Sequence, residues 1–436
     1  MRIRDILEID FLILFAAVAL SVFGIFFIYS SGITFTGALV SSEYLRQIVW
    51  ASAGITVALA LSFFDYKRLR NLSPYLYLGT LALLLYTCLF GRTVNGARSW
   101  IGFGAFGIQP SEFAKITTIL FLARYLDDTR RSAGSFVRFL VSCLIVFTPM
   151  GLVLIQPDFG TSLVFIPLLL VITYIAGVPL RYVLFMSACI ALTGVLTVLP
   201  LWQSYILRRA LPMVTALTNP RLIAVAVLVF GLIAAIAIFG YVKYRKKYFF
   251  WIAYGVAIIV FSMGSSFAAR RVLKDYQIMR LIVFLDPNVD PRGAGWNIIQ
   301  SVTAIGSGGL AGKGFLQGTQ SHYRYLPEQS TDFIFSIFSE EAGFLGGLLV
   351  FALFLFICMR LFRLMKVTAD AFGAYICAGL AGMYSFHFLI NVGMTMGIMP
   401  ITGIPLPFVS YGGSALLSAM IGIGLALSIH VRRHNR

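Results

Sequence analysis

Runs of about 18 to 25 apolar residues recur from one end of the chain to the other, each long enough to cross about 30 Å of hydrocarbon as a helix. This repetition limits the fold more than any other feature. Within hydrocarbon every backbone N–H and C=O must be paired inside the protein, which leaves helix bundles and closed barrels. A barrel needs short segments of alternating hydrophobicity, and these are absent. The runs fall at 10–31, 46–64, 73–90, 111–126, 136–155, 161–178, 182–200, 221–241, 249–267, 332–358, 371–390 and 411–430. The expected fold class is all-α: a polytopic membrane helix bundle of about 12 transmembrane helices. Composition agrees, because 59% of the 436 residues are hydrophobic and 12% charged, against about half and about a quarter in soluble domains.

The net charge is +17, and most of the basic residues lie between the runs. Such loops are topology signals that also meet anionic head groups, so no nucleic-acid partner is expected. The five cysteines, Cys88, Cys143, Cys189, Cys358 and Cys377, lie inside apolar runs without a CxxC, which argues against a disulfide framework or a zinc site. His322, His387, His430 and His434 are isolated and read as no metal's ligands. The first apolar run lacks a small-residue cleavage site and reads as a retained helix.

Orientation follows the distribution of Lys and Arg. With Arg2 and Arg4 cytoplasmic, the inside loops carry Lys67, Arg68 and Arg70, then Arg124, Arg130 and Arg131. The alternation continues through Lys243, Arg245, Lys246 and Lys247, then Arg360, Arg363 and Lys366, and ends on Arg432, Arg433 and Arg436. Both termini are then cytoplasmic. Residues 91–112, 156–162, 268–331 and 397–414 fall outside, and these stretches are the ones rich in glycine and proline. They carry cations of their own: Arg92, Arg98, Arg270, Arg271, Lys274, Arg280, Arg292, Lys313 and Arg324. Positive charge on that side points to an anionic substrate at the outer leaflet. An amphipathic surface helix facing lipid head groups is the plainer account of residues 270–280. Irregular backbone at membrane depth needs protein or water around it, so the outer half of the bundle is expected to open into a cavity. No internal repeat of fixed period supports a transporter built from inverted halves.

Seventeen acidic residues serve the whole chain, and a carboxylate at mid-bilayer costs about 2.5–3.5 kcal/mol on insertion scales. Glu112, Asp158, Asp332, Glu340 and Glu341 therefore need an account. Glu112 and Lys115, three apart, share one helix face; they are either an internal ion pair or part of a cavity lining. Asp158 and Asp332 stand where spans begin, so helix capping explains them as well as function does. Trp100 is either an interfacial anchor or a loop residue at the site. In "FLDPNVDPRGAGWNIIQSVTAIGSGGLAGKGF" (284–315), which shows almost no helical periodicity, proline and glycine can hold a carboxylate at a turn beside a substrate. Asp286 and Asp290 both fit, and the residues alone do not separate them. "SGGLAGKGF" has the composition of a phosphate-cradling loop without the Walker spacing.

These motifs together resemble the SEDS family of polytopic cell-wall polymerases, the RodA and FtsW proteins, and lie nearer the RodA branch. The matching segments are "GARSWIGFGAFGIQPSEFAKI", "QPDFGTSLV", the 284–315 stretch continuing to "LQGTQ", "LPEQSTDFIFSIFSEEAGFLG" and "GIMPITGIPLPFVSYGGSALL". They stand in family order outside residues 201–268. The resemblance implies a peptidoglycan glycosyltransferase of the bacterial cytoplasmic (inner) membrane that polymerises lipid II on its outer face, with a class B penicillin-binding protein as partner. It implies that Asp290 is the essential carboxylate, since relatives often carry asparagine at the place of Asp286. Trp100, Glu112 and Lys115 map onto the family's loop tryptophan and intramembrane pair. Asp158, Arg292, Lys313, Gln320, Glu328, Asp332 and Ser410, within the same motifs, complete the expected cavity lining. Two departures stand out: Trp296 replaces a tyrosine common in the family, and residues 201–268 add a two-helix hairpin to a core of about ten spans. The chain would then be a single membrane domain with a large extracytoplasmic loop over 268–331. The chemistry implied is a displacement with inversion, with Asp290 as base and the outer-loop cations, or a divalent cation, neutralising the leaving diphosphate. The sequence holds no dedicated metal cage. The rival readings are a lipid II flippase and a non-catalytic scaffold of the cell-wall machinery.

Overall fold

The computed structural model describes residues 10–94, 96–102, 107–209, 211–273 and 275–433; Arg2, Arg4, Lys274, His434 and Arg436 lie outside the described residues. Among the described residues, ten helices are long and apolar enough to cross a membrane: Phe11–Ser31, Glu43–Phe63, Tyr66–Phe90, Phe136–Ile155, Leu180–Leu207, Pro220–Tyr244, Lys247–Arg271, Ile334–Val367, Ala371–Thr395 and Gly413–Val431. The other two expected runs are helical but atypical. Pro110–Asp128 carries five charged residues in its 19. The run after Asp158 forms two short helices, Phe159–Leu163 and Phe165–Ile175, on either side of Val164. The one sheet among the described residues is a two-stranded hairpin, Arg92–Val94 paired antiparallel with Ala97–Trp100.

Several of the scarce acids begin helices. Asp10, Asp65, Asp158 and Asp370 accept hydrogen bonds from Ile13, Lys67, Thr161 and Gly373 amides respectively, satisfying donors that a helix start leaves open. Asp332 does not: the residue capping Ile334–Val367 is Phe333, without a side-chain bond.

The chain divides into two compact units, residues 1–178 with 300–436, and residues 179–299. In the first, the most buried helices are Ala371–Thr395 and Gly413–Val431. Arg138, 2% exposed, donates to the Leu126 and Ala176 carbonyls at 2.6 and 3.1 Å and to the Thr129 hydroxyl at 3.0 Å. One guanidinium thus closes the C-terminal ends of two helices, where a cation also suits the dipole. Arg138→Met is expected to strip these acceptors and lower stability by about 3 kcal/mol, read by denaturant unfolding in detergent micelles; a loss under about 0.5 kcal/mol would show that water replaces the guanidinium.

The long helix Ile334–Val367 breaks at Gly343, whose φ of 68° and ψ of −165° lie outside the helical region. The glycine loop fills the break. Phe344 and Leu345 amides donate to the Gly309 and Leu310 carbonyls at 2.9 and 3.1 Å, and the Lys313 and Gly314 amides donate to Glu340 and Glu341 carbonyls at 3.0 Å each. A Cβ on Gly343 would stand 2.2 Å from the Gly312 nitrogen. The glycines of "SGGLAGKGF" therefore serve backbone pairing against a broken helix, and these amides are not arrayed for a phosphate. Gly343→Ala combines a positive φ with that clash and is expected to destabilise by at least about 2 kcal/mol, measured as a fall in unfolding midpoint.

In the second unit, Pro220–Tyr244 and Lys247–Val272 form a hairpin joined by Arg245 and Lys246. Gly240 leaves room for the Phe249 ring, which a Cβ there would approach to 2.6 Å. Arg270 and Arg271 lie in the last turn of Lys247–Val272, whereas Arg280 belongs to the separate helix Asp275–Leu285, so the alternative of a surface helix is corrected for the first two alone. The 284–315 stretch is also more helical than its sequence suggests: Asp275–Leu285 leads into it and Ala294–Ser307 occupies its middle. Gly295, Ile298, Ser301 and Ala304 are the buried positions of that second helix, a one-sided pattern short enough to be masked by the flanking glycines.

Candidate active site

In the first unit the polar residues converge on the segment 397–412. Lys115 Nζ donates to Glu112 Oε1 at 2.8 Å within one helix turn, and the two residues are 1% and 4% exposed. The third member is His387, with Nε2 3.1 Å from Lys115 Nζ and Nδ1 3.2 Å from the Pro405 carbonyl. A carbonyl only accepts, so Nδ1 carries the proton and Nε2 accepts from the ammonium. Met383, Tyr384, Pro407 and Ala415 line the same narrow crevice. An ion pair this dry needs further bonds to offset its burial, and His387, itself held by the Pro405 carbonyl, supplies the ammonium with one more acceptor.

Around it, Asn391 donates to the carbonyls of Asp332 and Ile404 at 3.0 and 2.8 Å. Ser410 donates to the Thr331 carbonyl at 2.6 Å and accepts from the Leu406 amide at 2.8 Å. Asp158 accepts from Gln109 Nε2 at 2.7 Å and from the Thr161 amide at 3.2 Å. Desolvation raises the Asp158 carboxyl above the usual carboxylate range, with the Thr161 bonds opposing it. The Gln109 amide reaches Ser414 Oγ at 3.0 Å. Trp100 ends the hairpin's second strand, and a Cβ on Gly107 would stand 3.0 Å from its ring. Of the expected lining residues, Glu112, Lys115, Asp158, Asp332 and Ser410 all lie in the first unit, in separate hydrogen-bonded groups, Asp332 by its backbone carbonyl.

His387, Asn391 and Gln109 were missed. The signal for the first two was available: a histidine and an asparagine four residues apart share a face of an otherwise apolar helix, where polar groups are costly and need partners.

Lys313 belongs to a second cluster. Its Nζ lies 2.7 Å from both Glu340 Oε1 and Thr319 Oγ1. Glu340, fully buried, also accepts from the Thr319 and Gln320 amides at 2.8 and 3.1 Å. Glu341 accepts from Ser30 Oγ and from the Leu316 amide, and its Oε1 lies 3.7 Å from His322 Nε2. Gln320 Oε1 is buried and unpartnered. Glu328 is exposed and accepts from Thr331 Oγ1 at 3.3 Å.

Asp290 and Arg292 belong to the second unit. Asp290 is half-buried; its Oδ1 accepts from the Gly293 amide and its Oδ2 from the Ala294 amide, each at 3.0 Å. The carboxylate therefore sits across the start of Ala294–Ser307. A Cβ on Gly293 would stand 2.1 Å from Oδ2, and one on Gly295 2.5 Å from the Asp290 carbonyl oxygen, so this turn requires glycine at both places. Asp286 instead closes on Asn288, accepting from its amide and its Nδ2 at 3.0 and 3.1 Å. Arg292 is exposed. Among the described residues no group of three or more His, Cys, Asp or Glu side chains is arranged to hold a metal ion.

Together these features define a multi-pass α-helical membrane protein with a buried Lys–Glu pair in one unit and a clamped carboxylate in the other. The family model described as "Cell cycle protein", covering FtsW, RodA and SpoVE, matches residues 10–222 and 210–435, and the chain belongs to that family. It is 50% identical over 435 residues to the peptidoglycan glycosyltransferase RodA of Treponema pallidum (strain Nichols), covering 99% of this chain and 100% of that one. Identity is 33% over 393 residues to the peptidoglycan glycosyltransferase MrdB of Escherichia coli (strain K12), with 89% and 85% covered. Among solved structures, it aligns with a chain from the structural coordination of polymerization and crosslinking by a peptidoglycan synthase complex. That likeness has a TM-score of 0.67 at 26% identity, over 98% of this chain and 99% of the other. The fold is also similar to that of the rod shape determining protein RodA of Thermus thermophilus, with a TM-score of 0.61.

Proposed function

We infer that this chain, a peptidoglycan glycosyltransferase, polymerises lipid II into β-1,4 glycan strands at the outer face of the bacterial cytoplasmic membrane, with both termini cytoplasmic. Elongation and rod shape are the processes it serves. The observation that carries the reading is the Asp290 carboxylate, fixed by two amides of the "PRGAGW" turn and partly open to solvent. Each oxygen accepts one amide there and keeps a lone pair for a further proton.

The reaction needs little else at that position. The 4-hydroxyl of the acceptor sugar attacks the donor's anomeric carbon, Asp290 takes the hydroxyl proton, and the anomeric C–O bond breaks as the lipid diphosphate leaves with the electron pair. An α-linked donor and a β-linked product require inversion in a single displacement. The leaving group is already good, so a paired general acid is not demanded. Of the cations expected to meet the diphosphate, Lys115 and Lys313 are each engaged by a glutamate. Exposed Arg292, two residues from Asp290, is the better placed to meet developing phosphate charge. Residues 201–268 are read as a hairpin added to the family core. A class B penicillin-binding protein, supplying crosslinks, is the proposed partner, in keeping with the likeness to a chain of a peptidoglycan synthase complex.

Purified protein given labelled lipid II in detergent is expected to build glycan polymer, resolved by gel electrophoresis. A lipid II flippase, or a scaffold, makes none under those conditions, so an inactive but folded preparation supplied with its transpeptidase would overturn the assignment.

A further inference from the structure

The hairpin Pro220–Tyr244 and Lys247–Val272 lies within a stretch, residues 159–274, that contains no aspartate or glutamate. Cations mark both of its ends. The turn between the helices carries Lys243, Arg245, Lys246 and Lys247. The opposite end carries Arg221 at the start of one helix, Arg270 and Arg271 in the last turn of the other, and Arg208 and Arg209 in the segment that approaches them. These opposite-end pieces are adjacent, since Arg270 Nη2 donates to the Leu217 carbonyl at 2.8 Å and Gln203 Nε2 lies 3.3 Å from Thr215 Oγ1. Beside Arg221 is an open cleft of about 720 Å³, lined by Pro212, Thr215, Thr218, Asn219 and Arg221. Arg208, Arg209, Arg221 and Arg271 are exposed.

Each helix is long and apolar enough to span the membrane, so the two ends lie at opposite surfaces. The positive-inside bias accounts for one cluster and not for the other, whichever way the hairpin is inserted. Four exposed guanidiniums at a lipid–water boundary, in a stretch whose nearest following acid is Asp275, match lipid phosphate. The hydroxyls of Thr215 and Thr218 are engaged with the Leu211 and Thr215 carbonyls, which leaves the arginines as the groups that recognise an anion there. We propose that the arginine end of this hairpin, built on Arg209, Arg221 and Arg271, is a binding site for the phosphate head group of anionic bilayer phospholipid. The proposal is independent of the reaction assigned to Asp290.

A photoactivatable phosphatidylglycerol tests it on the full chain in nanodiscs of phosphatidylglycerol and phosphatidylcholine. Labelling is expected within residues 203–222 and to fall roughly tenfold in the triple variant Arg209→Gln, Arg221→Gln, Arg271→Gln. It should persist in the triple lysine variant, which keeps the charge, and in Lys243→Gln, Lys246→Gln, Lys247→Gln, which alters the other end. Gel filtration and circular dichroism establish that each variant is folded, and removing cations from the arginine end leaves the topology bias of the turn intact. Equal labelling by a phosphatidylcholine probe, or undiminished labelling of the glutamine variant, overturns the proposal. Displacement by glycerol phosphate as readily as by phosphatidylglycerol overturns the lipid as source. Displacement by much lower concentrations of undecaprenyl diphosphate reassigns the site to polyprenyl carriers.

Discussion

Asp290→Asn is expected to abolish polymerisation of lipid II while leaving the protein folded. Asparagine retains one of the two amide bonds that the carboxylate accepts at the start of Ala294–Ser307, so stability should stay within about 1 kcal/mol of the native chain. It takes no proton from an attacking hydroxyl, and loss of a general base costs about a hundredfold to ten-thousandfold in rate. Asp290→Ala loses both the base and the cap, so it should match the asparagine variant in activity and fall below it in unfolding midpoint. Parallel measurement of glycan formation and thermal unfolding separates the two duties of one side chain. An asparagine variant that polymerises at the native rate would reduce Asp290 to a helix cap.

A second large effect is expected at the crevice. Lys115→Met leaves Glu112 as a buried carboxylate without its partner and removes the donor to His387 Nε2. The expected loss is about 3–5 kcal/mol, enough to deplete folded protein from the membrane. Glu112→Gln with Lys115→Met removes both charges and should recover most of that stability, a coupling that a double-mutant cycle measures. If the pair only ties the helix to its neighbours, the doubly substituted protein polymerises normally. If it lines the substrate's cavity, the protein folds and makes no glycan.

The spans were legible because hydrocarbon demands long apolar runs and little else produces them. Even there, the run after Asp158 reads as one span and is split at Val164, because periodicity carries no mark of a local break. Site residues separated by the kind of bond they make. Glu112 and Lys115 could be paired from spacing alone, whereas His387 meets Lys115 from 272 positions away, and nothing local announces such a contact. The 284–315 stretch misled in another way. Its glycines suggested open backbone, yet two of them admit the Asp290 clamp, Gly314 pairs with the Glu341 carbonyl and Gly309 accepts from the Phe344 amide. Glycine marks where backbones approach, not which partner does the approaching. Asp286 and Asp290 share a proline context that hides their difference, an Asx turn at one and a clamp across a helix start at the other.

The interruption at Gly343 has a consequence for how such enzymes can be recombined. Phe344 and Leu345 are answered by Gly309 and Leu310, and Lys313 and Gly314 reach back to Glu340 and Glu341, so the two segments form one structural unit despite lying about thirty positions apart. A hybrid taking residues 308–316 from one relative and 339–345 from another would unite halves that never evolved against each other, and dehydrated peptide groups would bear the mismatch. Exchanged together, they travel as a matched cassette.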